Sequence, residues 1–172
     1  MKRFLPAIAM PLLGLLPLAL AAHAQDPATP AAGDIKDLKQ IPVVLPHDIL
    51  LGLVNNATKA ASATKAADVL HQKIEGRVAA LKLRIDKIEK DLRAQEGKDA
   101  YRIKAEDAHV RASSVNFTVF VWVHFDVSEN AKIAALKRGD AIGATGKITL
   151  ASASILEGNP TIQVDLSDAT VN

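Results

Sequence analysis

The sequence contains no cysteine. That excludes disulfides, thiolate metal sites and a lipid anchor built on a cysteine. It also has little net charge: 21 Lys and Arg stand against 19 Asp and Glu over the whole chain. Two of those basic residues, Lys2 and Arg3, sit at the extreme N-terminus, so the remainder is balanced. A protein that neutralises phosphates normally carries a basic excess, and the balance argues against nucleic acid as a partner. Beyond residue 20 there is no long apolar run.

The one long uncharged run, Phe4 to Leu20, follows Lys2 and Arg3 and precedes Ala22-His23-Ala24. A charged start, an apolar middle and small residues at the −3 and −1 positions form a secretory signal, with Gln25 as the first mature residue. Pro6, Pro11, Gly14 and Pro17 break the run, and it is short for a bilayer span. The expectation is a bacterial-type exported protein, periplasmic or secreted, not embedded in the membrane after cleavage. Residues 1–24 are the signal, and 25–46 read as a flexible leader, on the Ala, Pro and Asp content of 25–40. Residues 47–73 read as a helical segment and 74–172 as the main domain.

In 47–73 the apolar positions Ile49, Leu50, Leu53, Val54, Ala57, Ala60, Ala61, Ala67 and Leu70 recur at helical spacing. Asp48 is placed to cap the start, while Gly52 and Asn55-Asn56 weaken the middle, so one or two helices are expected. Residues 74–92 carry two patterns. As a helix, Ile74, Val78, Leu81, Ile85, Ile88 and Leu92 form a coiled-coil seam. As a strand, Ala79, Leu81, Leu83 and Ile85 alternate with Ala80, Lys82, Arg84 and Asp86. The helix leaves Leu83 outside and must carry Gly76 through its interior.

From residue 99 the chain reads as strands. Ala100–Ala105 alternates, and Asn116–Val127 is dense in β-branched and aromatic residues. Ser128 is placed to cap a short helix, Glu129–Leu136, ended by Arg138-Gly139. Asp140–Ala151 follows, with Gly143 and Gly146 at bulge or bend positions. A turn at Gly158-Asn159-Pro160 leads into a last strand from Thr161 to Val171. Strand, strand, helix, strand, strand lacks only a first strand that pairs with the fourth, and 76–88 is the candidate. The expectation is a mainly β domain with a helical N-terminus: a five-stranded OB-fold-type barrel with its helix between the third and fourth strands.

The segment Leu136-Lys-Arg-Gly-Asp-Ala-Ile-Gly-Ala-Thr-Gly-Lys-Ile and the closing Val164-Asp-Leu-Ser-Asp-Ala-Thr-Val resemble the tRNA_anti-like family of bacterial OB-fold proteins. The likeness covers roughly 70–172 and is strongest over 117–171. It departs at Ala169, where the family often has Cys. The resemblance implies a barrel, often behind an N-terminal helical stretch, and a capacity to bind. It implies no chemistry.

On the strand 116–127, Phe117, Val119, Val121, Val123 and Phe125 should fill the interior. Phe120, Trp122 and His124 should then face outward, with Arg102 and Lys104 beside them. In OB-folds that outer face is a stacking platform. The competing reading is that the N-terminal helix covers this row. His47, His71, His109 and His124 show no metal-ligand spacing, so no metal is expected. Gly139–Lys147 lacks the first glycine and the hydroxyl of a phosphate loop. Arg138-Gly139-Asp140 reads as a helix-end turn. No serine has a nucleophile context, so neither an enzyme nor a cofactor is expected. The expectation is an exported, non-enzymatic binding module for a sugar, a peptide or an envelope protein. The alternative is a structural protein self-associating through a coiled-coil arm over 47–93.

Overall fold

A computed structural model describes residues 34–91 and 100–172. Its helices are α1 (His47–Val54), α2 (Lys59–Ile74) and α3 (Asn130–Ala134). Its strands are β1 (Val78–Lys90), β2 (Tyr101–Ala105), β3 (Ala108–Ala112), β4 (Val115–Phe125), β5 (Ala141–Leu156) and β6 (Asn159–Val171). The chain is therefore mainly β, with two helices ahead of the strands and one short helix between β4 and β5.

The six strands form one sheet in the order β2-β1-β5-β6-β4-β3, with an additional pairing of β2 to β4. The pairings thus return on themselves through β1, β2, β4, β6 and β5, and β3 hangs on β4 outside the circuit. Every pairing is antiparallel except β4 with β6. The count differs from the five strands expected. The stretch after Ala105 turns at Glu106-Asp107 and resumes as β3, which pairs with β4 alone. Its five residues, Ala-His-Val-Arg-Ala, alternate apolar with polar, but the run is short and Val110 is its one β-branched residue, so it carries little strand signal.

Residues 78–90 are strand, so the coiled-coil arm over 47–93 is not what this segment builds. Val78–Arg84 pairs with β5, and Ile85–Lys90 pairs with β2. Two backbone facts outweigh the helical seam. Gly76 has φ +81, a left-handed conformation that a helix interior excludes. Leu83, which the seam leaves outside, is buried beside Ala79, Leu81 and Ile85 on one face of β1. Leu92 and Arg93 lie outside the described residues.

One hydrophobic cluster runs through the domain. The inward face of β4 (Phe117, Val119, Val121, Val123 and Phe125) is buried throughout, as the alternation requires. Ile148, Ile162, Val164 and Leu166 meet it from β5 and β6. Leu53, Leu70 and Ile74 of α1 and α2 join the same cluster. Each such side chain contributes about 1.5–3 kcal/mol on full burial. Helix α2 packs on β5, and hydrogen bonds fix both its ends. Lys59 Nζ donates to the Gly158 carbonyl at 3.0 Å, and Glu75 Oε1 accepts from the Ala151 N–H at 2.8 Å. Gly52, which looks like a weak point in α1, is where α2 comes closest: a Cβ there would lie 2.0 Å from Ser62 Oγ.

Residues 25–46 were expected as a flexible leader. From residue 34 onward they instead form a strap of two 3-10 turns, Leu38–Gln40 and Pro42–Val44, because Ile35, Ile41 and Leu45 are buried in the core. Ile35 makes an isolated parallel bridge to Ala79. Asp37 caps the first turn by accepting from the Lys39 N–H at 2.9 Å. Two other expected caps are corrected. Pro46, not Asp48, precedes α1. Asp126, not Ser128, caps the turn before α3, its carboxylate accepting from the Ser128 N–H at 2.8 Å.

Candidate ligand-binding face

Strand alternation points Phe120 and Trp122 to the side of β4 opposite the core. Both are half-buried, and neither belongs to the core cluster that takes in the apolar residues of α1 and α2. Among the described residues the N-terminal helices therefore pack with the inward side, and the covering helix expected as the competing reading is not found there.

What does lie on the rings is cationic. The register sets Arg102 opposite His124 and Lys104 opposite Trp122. Each long cation leans diagonally across the ladder. Arg102 Cζ sits 4.4 Å from the centroid of the Trp122 ring, and Lys104 Nζ sits 5.4 Å from that of Phe120. Both distances fall within cation–π range. The structure thus brings Arg102, Lys104, Phe120 and Trp122 together as two stacked layers.

Each cation is also held by acids. Arg102 Nε donates to Glu89 Oε1 at 2.8 Å. Lys104 Nζ lies 3.1 Å from Asp107 and 3.4 Å from Asp86. Asp107 and then Asp86 raise the Lys104 ammonium above its ordinary pKa, against the opposing effect of partial burial. Glu89 is held below the ordinary carboxylate range by hydrogen bonds from Lys87 and Arg102. The face alternates charge over its rings and carries no basic excess.

His124 stands apart from the rest. It is 6 % exposed, so it is part of the packed structure and not of an open row. Its Nδ1 lies 2.5 Å from Asp91 Oδ2, and its Nε2 lies 3.8 Å from Asp165 Oδ2. Asp165 is in turn bonded by Gln163 Nε2 at 2.9 Å. Sequence reading missed Asp86, Glu89, Asp91, Asp107 and Asp165. Glu89 and Asp86 are three positions apart on β1, where the register shifts between Ile85 and Lys87, so only the β1–β2 register could have pointed to them both.

No protein-family model matches the chain, and no curated protein sequence does either. Solved structures do. One is described as a "putative nucleic acid-binding lipoprotein from Klebsiella pneumoniae subsp. pneumoniae". It is 16 % identical, with 64 % of this chain and 78 % of that one covered and a TM-score of 0.37. Another is a small single-stranded DNA-binding protein from Streptomyces coelicolor. It is 15 % identical, with 58 % and 94 % covered and a TM-score of 0.36. The likeness is coarse, and the tRNA_anti-like resemblance gains no support from a family model. One expectation is corrected: charge balance argues against nucleic acid as a partner, whereas both neighbours are described as nucleic-acid binders.

No helix among the described residues is long and apolar enough to cross a membrane. Among the same residues no group of three His, Cys, Asp or Glu is arranged to hold a metal ion.

Proposed function

We propose that the chain is an exported, non-enzymatic binding module of the OB type, receiving its ligand on the outer face of β2 and β4. The circuit β1-β2-β4-β6-β5, with β4 parallel to β6 and a short helix before β5, supports the OB reading. In that reading β2 and β3 together take the place of one interrupted strand. The signal-like residues 1–24 support export.

One observation carries the choice of face: the Arg102–Trp122 and Lys104–Phe120 layers lie outside the core and are bordered by carboxylates. Ring–cation layers edged by carboxylates suit a ligand with an apolar face, which displaces the covering cations to reach the rings, and a hydroxylated rim. A sugar fits that description best. Single-stranded nucleic acid is the second reading. Its bases would stack on the same rings, and its phosphates would compete with Glu89 and Asp86 for Arg102 and Lys104.

Trp122 is the only tryptophan, so its emission reports on this face alone. Titration with chitotetraose and, separately, with an oligothymidylate tests both readings. A saturable change with the sugar, lost in Phe120→Ala, supports the first. A saturable, salt-sensitive change with the oligonucleotide supports the second. Silence with both sinks the face as a binding site.

A further inference from the structure

We propose that the cleft between the strap and strands β1 and β3 is a second binding site, one that accepts an extended acidic peptide by strand addition. The cleft has a volume of about 590 Å³ and shares no lining residue with the Trp122 face. Its walls are Lys36 and Lys39 of the strap, Lys82 of β1, and Ala108, His109 and Val110 of β3.

The first argument is the open backbone. On β1 the odd residue Ile85 bonds on the β5 side, to Asp140 and Gly139. The even residues turn their N–H and carbonyl groups the other way. Val78 O and Ala80 N are taken by Ile35, and Arg84 O accepts from the Glu106 N–H. Between those anchors lie the Ala80 carbonyl and both polar groups of the Lys82 backbone. Strand β2 starts its pairing only at Ile85, so these groups have no ladder partner among the described residues. Across the cleft, β3 ends the sheet and pairs with β4 on one side only. Both strands line one opening, with the strap's turns packed against β3, and the unladdered edge of β1 is a template for an added strand. Ile35 already uses the first step of this template, in parallel orientation.

The second argument is charge. Lys36, Lys39 and Lys82 are exposed and make no side-chain ion pair or hydrogen bond among the described residues. The acid of the cleft, Asp37, is engaged as the cap of the strap's first turn. Three ammonium groups around an open strand edge select carboxylates at alternate positions of an extended chain, since alternate side chains of a strand share one face.

The test uses the full chain and a fluorescein-labelled acetyl hexapeptide, Glu-Val-Glu-Val-Glu-Thr amide, read by polarisation. A second peptide is identical but N-methylated at alternate residues, which removes backbone donors and keeps the charge. The proposal expects saturable binding, weakened roughly tenfold or more by N-methylation. It expects a similar loss in the triple variant Lys36→Glu, Lys39→Glu, Lys82→Glu, whose positions are all exposed and whose fold is checked by circular dichroism. Absence of saturable binding, or equal affinity for the N-methylated peptide, overturns it. So does displacement of the peptide by oligothymidylate at equal concentration, which would assign the cleft to phosphate. The Trp122 titration reads a different face, so either site can fail without the other.

Discussion

Arg102 lies over Trp122, its Cζ 4.4 Å from the ring centroid, and is tied back to Glu89 by its Nε. The guanidinium is therefore the cover of the ring on its outer side. Arg102→Ala should shift Trp122 emission to the red and raise its acrylamide quenching. The loss of the cation–π layer should cost about 0.5–2 kcal/mol in urea unfolding. Arg102→Lys should restore charge but not the planar cover, and so should recover stability better than it recovers quenching. Emission unchanged in Arg102→Ala would show that something other than Arg102 shields the ring.

His124 is a packed polar group between Asp91 and Asp165. Asp165 is 1 % exposed and the His124 side chain 7 %. Removing the imidazole leaves buried carboxylates without their shared partner. His124→Ala should then lower stability by about 3–5 kcal/mol, the usual effect of breaking a buried pair from one side. His124→Ala paired with Asp91→Asn should cost less than the two single changes added together. Additive losses in that cycle would refute the coupling.

The strands of this fold were legible where they alternate and are rich in β-branched residues. Phe117 to Phe125 announces both faces of β4, and Gly146 announces the bulge at which β5 and β6 change register between Thr145 and Lys147. The close approach there is real, since a Cβ on Gly146 would meet Ala169 Cβ and the Ser167 carbonyl at 3.0 Å. What composition hid was set by tertiary contact. The strap looks like leader because it follows the Pro- and Ala-rich stretch 25–33 and carries Pro42 and Pro46 itself, yet Ile35, Ile41 and Leu45 are buried in the core. For the candidate face, residue types were readable and partners were not. Arg102 and Lys104 read as a free cationic flank until the register placed Glu89 opposite Arg102 and the irregularity after Ile85 brought the Asp86 carboxylate to Lys104.

Glu129 joins α3 to the end of β6. Its Oε2 accepts from the Val171 N–H at 3.0 Å, and Lys132 Nζ lies 3.0 Å from the same oxygen. The Val171 bond first, and Lys132 next, hold its carboxyl below the ordinary value of 4.5. A carboxyl depressed in the folded state stabilises it fully above that ordinary value, and the stabilisation fades as pH falls through the lowered one. The urea midpoint of the native chain should therefore exceed that of Glu129→Gln at neutral pH, and the gap should close below pH 4.5. Parallel curves down to the acid limit would remove this carboxylate from the acid response.

The hairpin joining β5 and β6 offers a gain in stability. Leu156 pairs with Asn159, so the loop is two residues, Glu157 and Gly158. Their φ angles are +50 and +80, both left-handed, as in the type I′ turns that suit the twist of paired strands. Glycine takes that conformation freely, whereas glutamate strains its Cβ against the following carbonyl. Asparagine tolerates it better, so Glu157→Asn should raise stability by about 0.5–2 kcal/mol. The converse test is Gly158→Ala. A Cβ there meets nothing within 4 Å, so any loss is backbone strain and not collision. That loss should be about 1–2 kcal/mol. Equilibrium urea unfolding of the two variants decides the matter, because opposite signs are required. If Glu157→Asn destabilises, the glutamate side chain at this turn does more than its backbone angle allows for.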